Sequence, residues 1–410
     1  MLIAGDPSGD MLAAELVSAL REKVVARSEH VSADVQPLQT ALAPRFFGAG
    51  GPKMAAAGVE QVFDLTQHSV IGFAEVLKNL GKFKRLFDQL LRVAIERQPD
   101  VIIGVDYGGF NLRFARAIKT HVRANRSTFN NWNPRIVQFV SPQVWASRAG
   151  RAYTLAENHD LLLSIFPFER EWYARRVPKL RVEFVGHPMI GRFTNDDLRF
   201  TSEQSEGASI VNRKSKILLL PGSRADEVRR HWPVVTRAFE LLKRQIPDAS
   251  GRMILPNQGL ADAMKSFPLP TGLGTQIGGL TNALATADLA ITKSGTVTME
   301  CALHGVPAVV FYKTSWPTYL IGKQIITVKY LAMPNLIADE PIYPEFVQQS
   351  ATPENISNAA LDLLQNPERR TAVQARLASV ISSLGEPGAA GRAADAILSL
   401  FWMTTNQAHE

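Results

Sequence analysis

Five apolar runs of four to six residues limit what this chain can become. Val101–Val105 stops at Asp106, Arg135–Val140 at Ser141-Pro142, Leu161–Ile165 at Phe166-Pro167 and Ile217–Leu220 at Pro221-Gly222, while Ala308–Tyr312 follows Gly305-Val306-Pro307. Runs that do not alternate with polar residues suit strands covered on both faces. Segments of helical period separate them. That succession predicts an α/β fold of parallel, doubly wound sheets.

At 410 residues the chain exceeds one ordinary domain. The polar stretch Asn195–Arg213 separates two such patterns, and a fresh strand begins after it. The expectation is a Rossmann-like first lobe over 1–187, a second over 188–375, and Ala- and Leu-rich helices over 376–410 returning to the first lobe. Two lobes of this kind should face each other across a cleft, with the carboxyl ends of their strands lining it. Strand one has only Met1–Ala4, so it is either truncated or begins upstream.

Composition excludes several classes. Apolar residues are 46% and charged residues 20%, which suits packed cores. Cys301 is the only cysteine, so no internal disulfide or cysteine-based metal site is expected. The amino terminus has no basic n-region or apolar h-region, and no window approaches 18 uninterrupted apolar residues. A cytoplasmic protein, at most peripheral to a membrane, is expected. Residues 1–190 carry 24 Lys and Arg against 18 Asp and Glu, whereas residues 191–410 carry 21 against 20. The basic first half either favours an anionic surface or phosphorylated partner or is simply solvated.

The polar residues at the strand ends carry the chemistry. Ser294-Gly295-Thr296 follows the apolar run Leu289–Ile291, and a helical pattern bearing Thr298 and Glu300 comes next. Such a turn points free N–H groups and a positive dipole end outward, which suits a diphosphate, and Glu300 suits sugar hydroxyls; an ordinary capped helix is the competing reading. Pro221-Gly222-Ser223-Arg224 is a second phosphate-compatible turn in the same lobe, where Arg224 can clamp phosphate bidentately. Glu227 either pairs with Arg224 or stays exposed.

In the first lobe, Gly5-Asp6-Pro7-Ser8-Gly9-Asp10 is neither GxGxxG nor a P-loop. Its carboxylates suit sugar hydroxyls, or Asp10 caps a helix. Asp106 ends a buried strand, where partial burial would raise its pKa toward general-base range; a turn aspartate is the alternative. Arg148 and Arg151, beyond Ser141-Pro142-Gln143-Val144-Trp145, either meet a phosphate or lie on the surface. Val70–Arg97 reads as a basic amphipathic helix, facing either an anionic bilayer and acyl chains or the core. No Asp-x-Asp, zinc spacing or nucleophile elbow occurs, so neither metal nor cofactor is expected.

The ordered set of these motifs resembles the lipid-A-disaccharide synthase family, glycosyltransferases of GT-B type. It includes Ala4–Asp10, Gly48–Met54, Ser69–Leu77, Gly104-Val105-Asp106, Phe110-Asn111, Val140–Ala146, Phe166–Glu169, Phe184–Pro188, Leu220–Arg224, Ser294-Gly295-Thr296, Glu300 and Met333–Leu336. The resemblance implies inverting transfer from UDP-2,3-diacylglucosamine to 2,3-diacylglucosamine 1-phosphate, giving a β-1,6 disaccharide 1-phosphate and UDP. It implies Asp106 as general base with Asp6 beside it. It implies a donor site of Gly222, Ser223, Arg224, Ser294, Gly295, Thr296, Thr298, Glu300 and Asn335, and an acceptor site of Ser8, Gly9, Asn111, Ser141 and Trp145. It further implies a peripheral protein at the inner face of the bacterial inner membrane, no nucleic-acid partner, and an open question of homo-oligomers. The chain departs from the family pattern at Asp6 (usually Glu), Gly109 (often an acid) and Ser147 (commonly Trp). The alternatives are a related UDP-sugar enzyme, such as a 2-epimerase or a transferase to a soluble acceptor, and a non-catalytic nucleotide-sugar or lipid-binding homologue.

Overall fold

The computed structural model describes residues 1–28, 44–68, 80–192 and 215–402. Ser69–Leu77, the first part of the Val70–Arg97 segment and the Asn195–Arg213 stretch lie outside the described residues. The chain divides into two compact units, Met1–Arg192 with Leu384–Glu410, and Phe193–Ser383.

Unit 1 holds β1 (Leu2–Ala4), β2 (Phe47–Gly50), β3 (Glu60–Asp64), β4 (Val101–Val105), β5 (Arg135–Phe139), β6 (Leu161–Ser164) and β7 (Val182–Phe184). Their spatial order is β3-β2-β1-β4-β5-β6-β7, and every pairing is parallel. Unit 2 holds β8 (Lys216–Leu220), β9 (Ser250–Leu255), β10 (Leu273–Ile277), β11 (Leu289–Lys293), β12 (Ala308–Tyr312) and β13 (Glu345–Val347). These run β10-β9-β8-β11-β12-β13, again all parallel. Both sheets therefore reverse strand order between their first and fourth strands, β1/β4 and β8/β11. Crossovers leave such a point in opposite directions and open a crevice at the carboxyl ends of the strands.

The apolar runs fill the interiors as their lack of alternation requires. Ile102, Ile103 and Val105 of β4, and Leu289, Ala290 and Ile291 of β11, are all buried. Short β1 is central nonetheless, paired on both edges. The Leu80–Arg97 helix spends its apolar side on unit 1: Leu90 and Ala94 are fully buried, and Phe87 packs edge-on to Phe110 and Phe114. Lys82, Lys84, Arg85 and Arg92 remain exposed. Over these residues the core-facing reading of the helix holds, and an acyl-accepting apolar face does not.

The returning segment starts later than position 376. The Pro367–Ser383 helix places Val373, Leu377 and Val380 in the unit 2 core, so only the Ala389–Trp402 helix joins unit 1. There Lys23 Nζ meets Asp395 Oδ2 at 2.8 Å, and Arg392 Nε donates to Val185 O at 2.8 Å.

Asp10 is neither a sugar ligand nor the cap of its own helix. Its carboxylate, 2% exposed, accepts from the N–H groups of Gly51, Lys53 and Met54 at 2.8, 2.9 and 3.0 Å, and so caps the Pro52–Ala56 helix. Asp10→Ala leaves these donors unmet and should cost about 2–3 kcal/mol. Urea unfolding of the intact protein checks this, with Asp10→Asn, which keeps an oxygen acceptor, losing less.

Candidate active site

In unit 1 the turns after β1 and β4 lie side by side at the reversal point. Asp6 is half-buried and accepts from Gly9 N at 2.6 Å and Ser8 Oγ at 3.2 Å. Asp106 and Tyr107 take consecutive left-handed conformations, φ 49° and 44°. Non-glycine residues hold that geometry only when their surroundings enforce it. Here Asp106 N donates to Phe139 O at 2.8 Å, while Asn111 Nδ2 and Gln138 Nε2 donate to Asp106 O at 2.8 and 2.9 Å. Gly104 makes room for both amides, because a Cβ there would lie 2.8 Å from Gln138 Oε1 and 2.9 Å from Asn111 Nδ2. Gly5 gives the Tyr107 ring its place: a Cβ there would meet the ring at 2.2 Å.

The Asp106 carboxyl is pushed up to about 6, first by desolvation and then by the charge of Asp6. A carboxylate held in this way is a competent proton acceptor near neutral pH. Asn111, 3% exposed, acts on the Asp106 backbone rather than facing a ligand. Gly9 also has its N–H committed, to Asp6, while Ser8 is exposed. Arg151 is depressed by burial and by Arg148 and Arg113, so three guanidinium groups share one region of unit 1.

Ser141 and Trp145 face inward, contrary to their expected acceptor role. They are 2% and 6% exposed. Ser141 Oγ pairs with Tyr173 OH at 2.8 Å, and Trp145 Nε1 donates to Glu169 Oε1 at 2.8 Å. Glu169 is fully buried, and Phe166 N donates to its Oε2 at 3.4 Å. The side chains serve this buried carboxylate, whose pKa burial raises.

In unit 2 the turns after β8 and β11 are neighbours in the same sense. Gly222 has φ 136°, and a Cβ there would lie 3.0 Å from Glu227 Oε2. Glu227 gathers two cations: Lys293 Nζ lies 3.4 Å from Oε2 and Arg224 Nη1 lies 3.8 Å from Oε1. The Arg224 side chain is 83% exposed, that of Lys293 only 20%. Gly295, at φ 145°, leaves the Lys293 ammonium 3.4 Å from where a Cβ would stand. Lys293 thus sits between both turns. It is not among the residues expected to hold the donor.

Some expected donor residues are engaged elsewhere. Ser294 Oγ donates to Leu331 O at 2.7 Å and Ser294 N to Phe311 O at 3.0 Å. Thr298 is fully buried; its Oγ1 donates to Gly295 O at 2.7 Å and accepts from Met333 N at 3.2 Å. Asn335, fully buried, clasps the Tyr343 backbone through both amide atoms at 2.8 Å and donates to Glu345 Oε1. These three shape the turn from behind. Ser223, Arg224 and Thr296 are exposed, and Lys293 and Glu300 are half-buried. Burial raises the Glu300 carboxyl.

A family profile described as lipid-A-disaccharide synthetase matches residues 1–397. The lipid-A-disaccharide synthases of Geobacter sulfurreducens and Syntrophus aciditrophicus are each 34% identical to the chain over 98% of its length, covering 96% and 97% of those proteins. That of Nitrosococcus oceani is 34% identical over 94% of the chain and 92% of the protein. Among solved structures, the kitacinnamycin glycosyltransferase aligns with TM-score 0.59 at 18% identity over 97% of each chain. A putative UDP-N-acetylglucosamine 2-epimerase from Listeria monocytogenes aligns with TM-score 0.56 at 14% identity, over 98% of this chain and 96% of that one. At such identities these structures share the two-domain α/β fold.

The raised Asp106 pKa makes a stability prediction. The unfolded carboxyl ionises near 3.8, whereas the folded one keeps its proton to about 6, so ionised Asp106 weakens the fold above that range. Asp106→Asn should melt a few degrees higher than the parent at pH 7.5, with the gain vanishing below about pH 4. Thermal melts across pH check the sign.

Proposed function

The chain belongs to the lipid-A-disaccharide synthase family, and from that membership we propose how its own residues divide the work. It is a glycosyltransferase, and the family's reaction joins the diacylglucosamine of a UDP donor to 2,3-diacylglucosamine 1-phosphate. Asp106 takes the proton from the acceptor 6-hydroxyl. The resulting oxygen attacks the anomeric carbon in line with the bond to UDP, which breaks as the β-linkage forms. Inversion follows from that single displacement. The observation that carries this reading is the Asp106 carboxyl, set at a strand reversal point beside Asp6 and raised to about 6.

Asp6 supports Asp106 by its charge and orders the turn that presents Ser8. Charge builds on the diphosphate as the bond breaks, and Arg224 and Lys293 neutralise it, with the N–H groups of Gly295 and Thr296 beside them. Glu300 accepts from donor hydroxyls. Arg148 and Arg151, with Arg113, take the 1-phosphate of the acceptor. Among the described residues no helix is long and apolar enough to cross a membrane. Peripheral attachment to the inner face of the inner membrane draws on the exposed basic side of the Leu80–Arg97 helix.

The acid limb of the kcat/KM profile should lie at about pH 6, since the base must be ionised. Asp6→Asn removes a like charge and should move that limb toward lower pH. Asp106→Ala should lose turnover while keeping UDP affinity; loss of UDP binding in that variant would refute its role. Lys293→Ala should weaken UDP binding on the order of ten- to a hundredfold, the range of one lost charge-assisted contact. Calorimetric titration with UDP measures it, and an unchanged affinity removes Lys293 from the donor site.

A further inference from the structure

The segment between β12 and the Met333–Ala338 helix has an unusual surface. Trp316 is 52% exposed, Leu320 55% and Ile326 45%. Trp316 and Leu320 stand four residues apart on the Trp316–Ile325 helix, so they share a face, and Lys323 continues the same stripe one turn on. From Trp316 to Tyr330 the sequence has two lysines, Lys323 and Lys329, both exposed, and no acidic residue; Asp339 lies beyond the segment and acts on Lys329. Lys329 lies over the Tyr330 ring, 4.8 Å from its centroid. An exposed tryptophan and aliphatic residues beside lysines whose stems can lie along an apolar surface make an interfacial pattern.

Both ends of the segment are fixed, which turns it into a presented surface. At its start, Thr314 N donates to Gln348 Oε1 at 3.0 Å, and Gln348 Nε2 returns a bond to Thr314 O at 2.8 Å. At its end, Leu331 N and Ala332 N donate to the Glu345 carboxylate at 2.9 Å each. Leu331 O accepts the Ser294 hydroxyl of the donor turn. The exposed apolar stretch is therefore tied directly to the place assigned to the donor diphosphate.

We propose that Trp316–Tyr330 is a membrane-contacting surface of unit 2, which seats its apolar side chains in an anionic bilayer beside the donor turn. The inference rests on the reading that the donor carries acyl chains, because an amphiphilic donor is delivered from a bilayer. It differs from the Leu80–Arg97 helix, whose apolar face is used internally and which offers a membrane only charge. Lys323, exposed on the same stripe as Trp316 and Leu320, favours an anionic lipid surface over a second copy of the chain. A self-paired interface would bring lysines of like sign together with no carboxylate in the segment to offset them.

The test uses the whole protein with the double substitution Trp316→Ser, Leu320→Ser. Thermal melting and UDP affinity report whether the variant remains folded. Cosedimentation with vesicles of phosphatidylglycerol and phosphatidylcholine should fall at least tenfold relative to the parent. Lipids brominated in the acyl chain should quench parent fluorescence more than that of Trp316→Phe. Binding should also fall in pure phosphatidylcholine and at high salt. Equal sedimentation of parent and variant, or equal quenching of parent and Trp316→Phe, would overturn the proposal. So would a loss of self-association without a loss of vesicle binding, which assigns the face to a second copy. A KM rise of the same size with short-chain substrates free of vesicles assigns it to the donor's acyl chains instead. Parent that binds vesicles through Trp316 but transfers no sugar would leave this surface standing and refute the assigned reaction.

Discussion

Every part of the site depends on covering two parallel sheets on both faces. A parallel strand needs a crossover to reach its neighbour, and the crossovers here are helices that bury each face. Neither face of a sheet is then free for a ligand. What remains open is the edge where strands end, and only the reversal points, β1/β4 and β8/β11, part the neighbouring crossovers. The Asp6 and Asp106 turns occupy the first, and the Gly222 and Gly295 turns the second. Two unrelated stretches of sequence thus arrive at one arrangement for the same geometric reason.

At the first reversal point, order is imposed against local preference. Asp106 and Tyr107 are left-handed without being glycine, and the carboxyl of Asp106 is kept from full solvation next to another acid. Asn111 and Gln138 hold its carbonyl, and their own oxygens, buried beside Gly104, have no protein partner. A group so placed is poor for stability and good for proton transfer. Two amide side chains, those of Asn111 and Gln138, keep its backbone carbonyl still.

Much of this was legible in the chain, and the illegible part has one physical origin. Uninterrupted apolar runs announce parallel strands, and the polar residues that end them announce the site edge. The sequence does not say which way those polar side chains turn. Ser294, Thr298 and Asn335 look like ligands for a nucleotide, yet their hydrogen bonds go to Leu331, Gly295 and Tyr343. Ser141 and Trp145 likewise serve Glu169, more than 20 residues away. A strand-end hydroxyl satisfies a backbone carbonyl or a ligand equally well, and only the distant partner decides. Lys293 is the converse case: it sits between an apolar run and a small-residue turn, and nothing local says that its ammonium reaches Glu227 beside Gly222. The Leu80–Arg97 helix shows the same ambiguity in apolar form, since an amphipathic face does not say whether protein or lipid covers it.

The placement of the final helix has a consequence for how the chain is made. Unit 2 interrupts unit 1, and Ala389–Trp402 packs against unit 1 only after all of unit 2 has been synthesised. The Lys23–Asp395 pair joins residues 372 positions apart. A nascent chain must therefore hold an unfinished first unit, with the seat of that helix uncovered, while the inserted unit folds autonomously. Contacts of such sequence separation form slowly, and that waiting interval is when the protein is most exposed to aggregation on the ribosome.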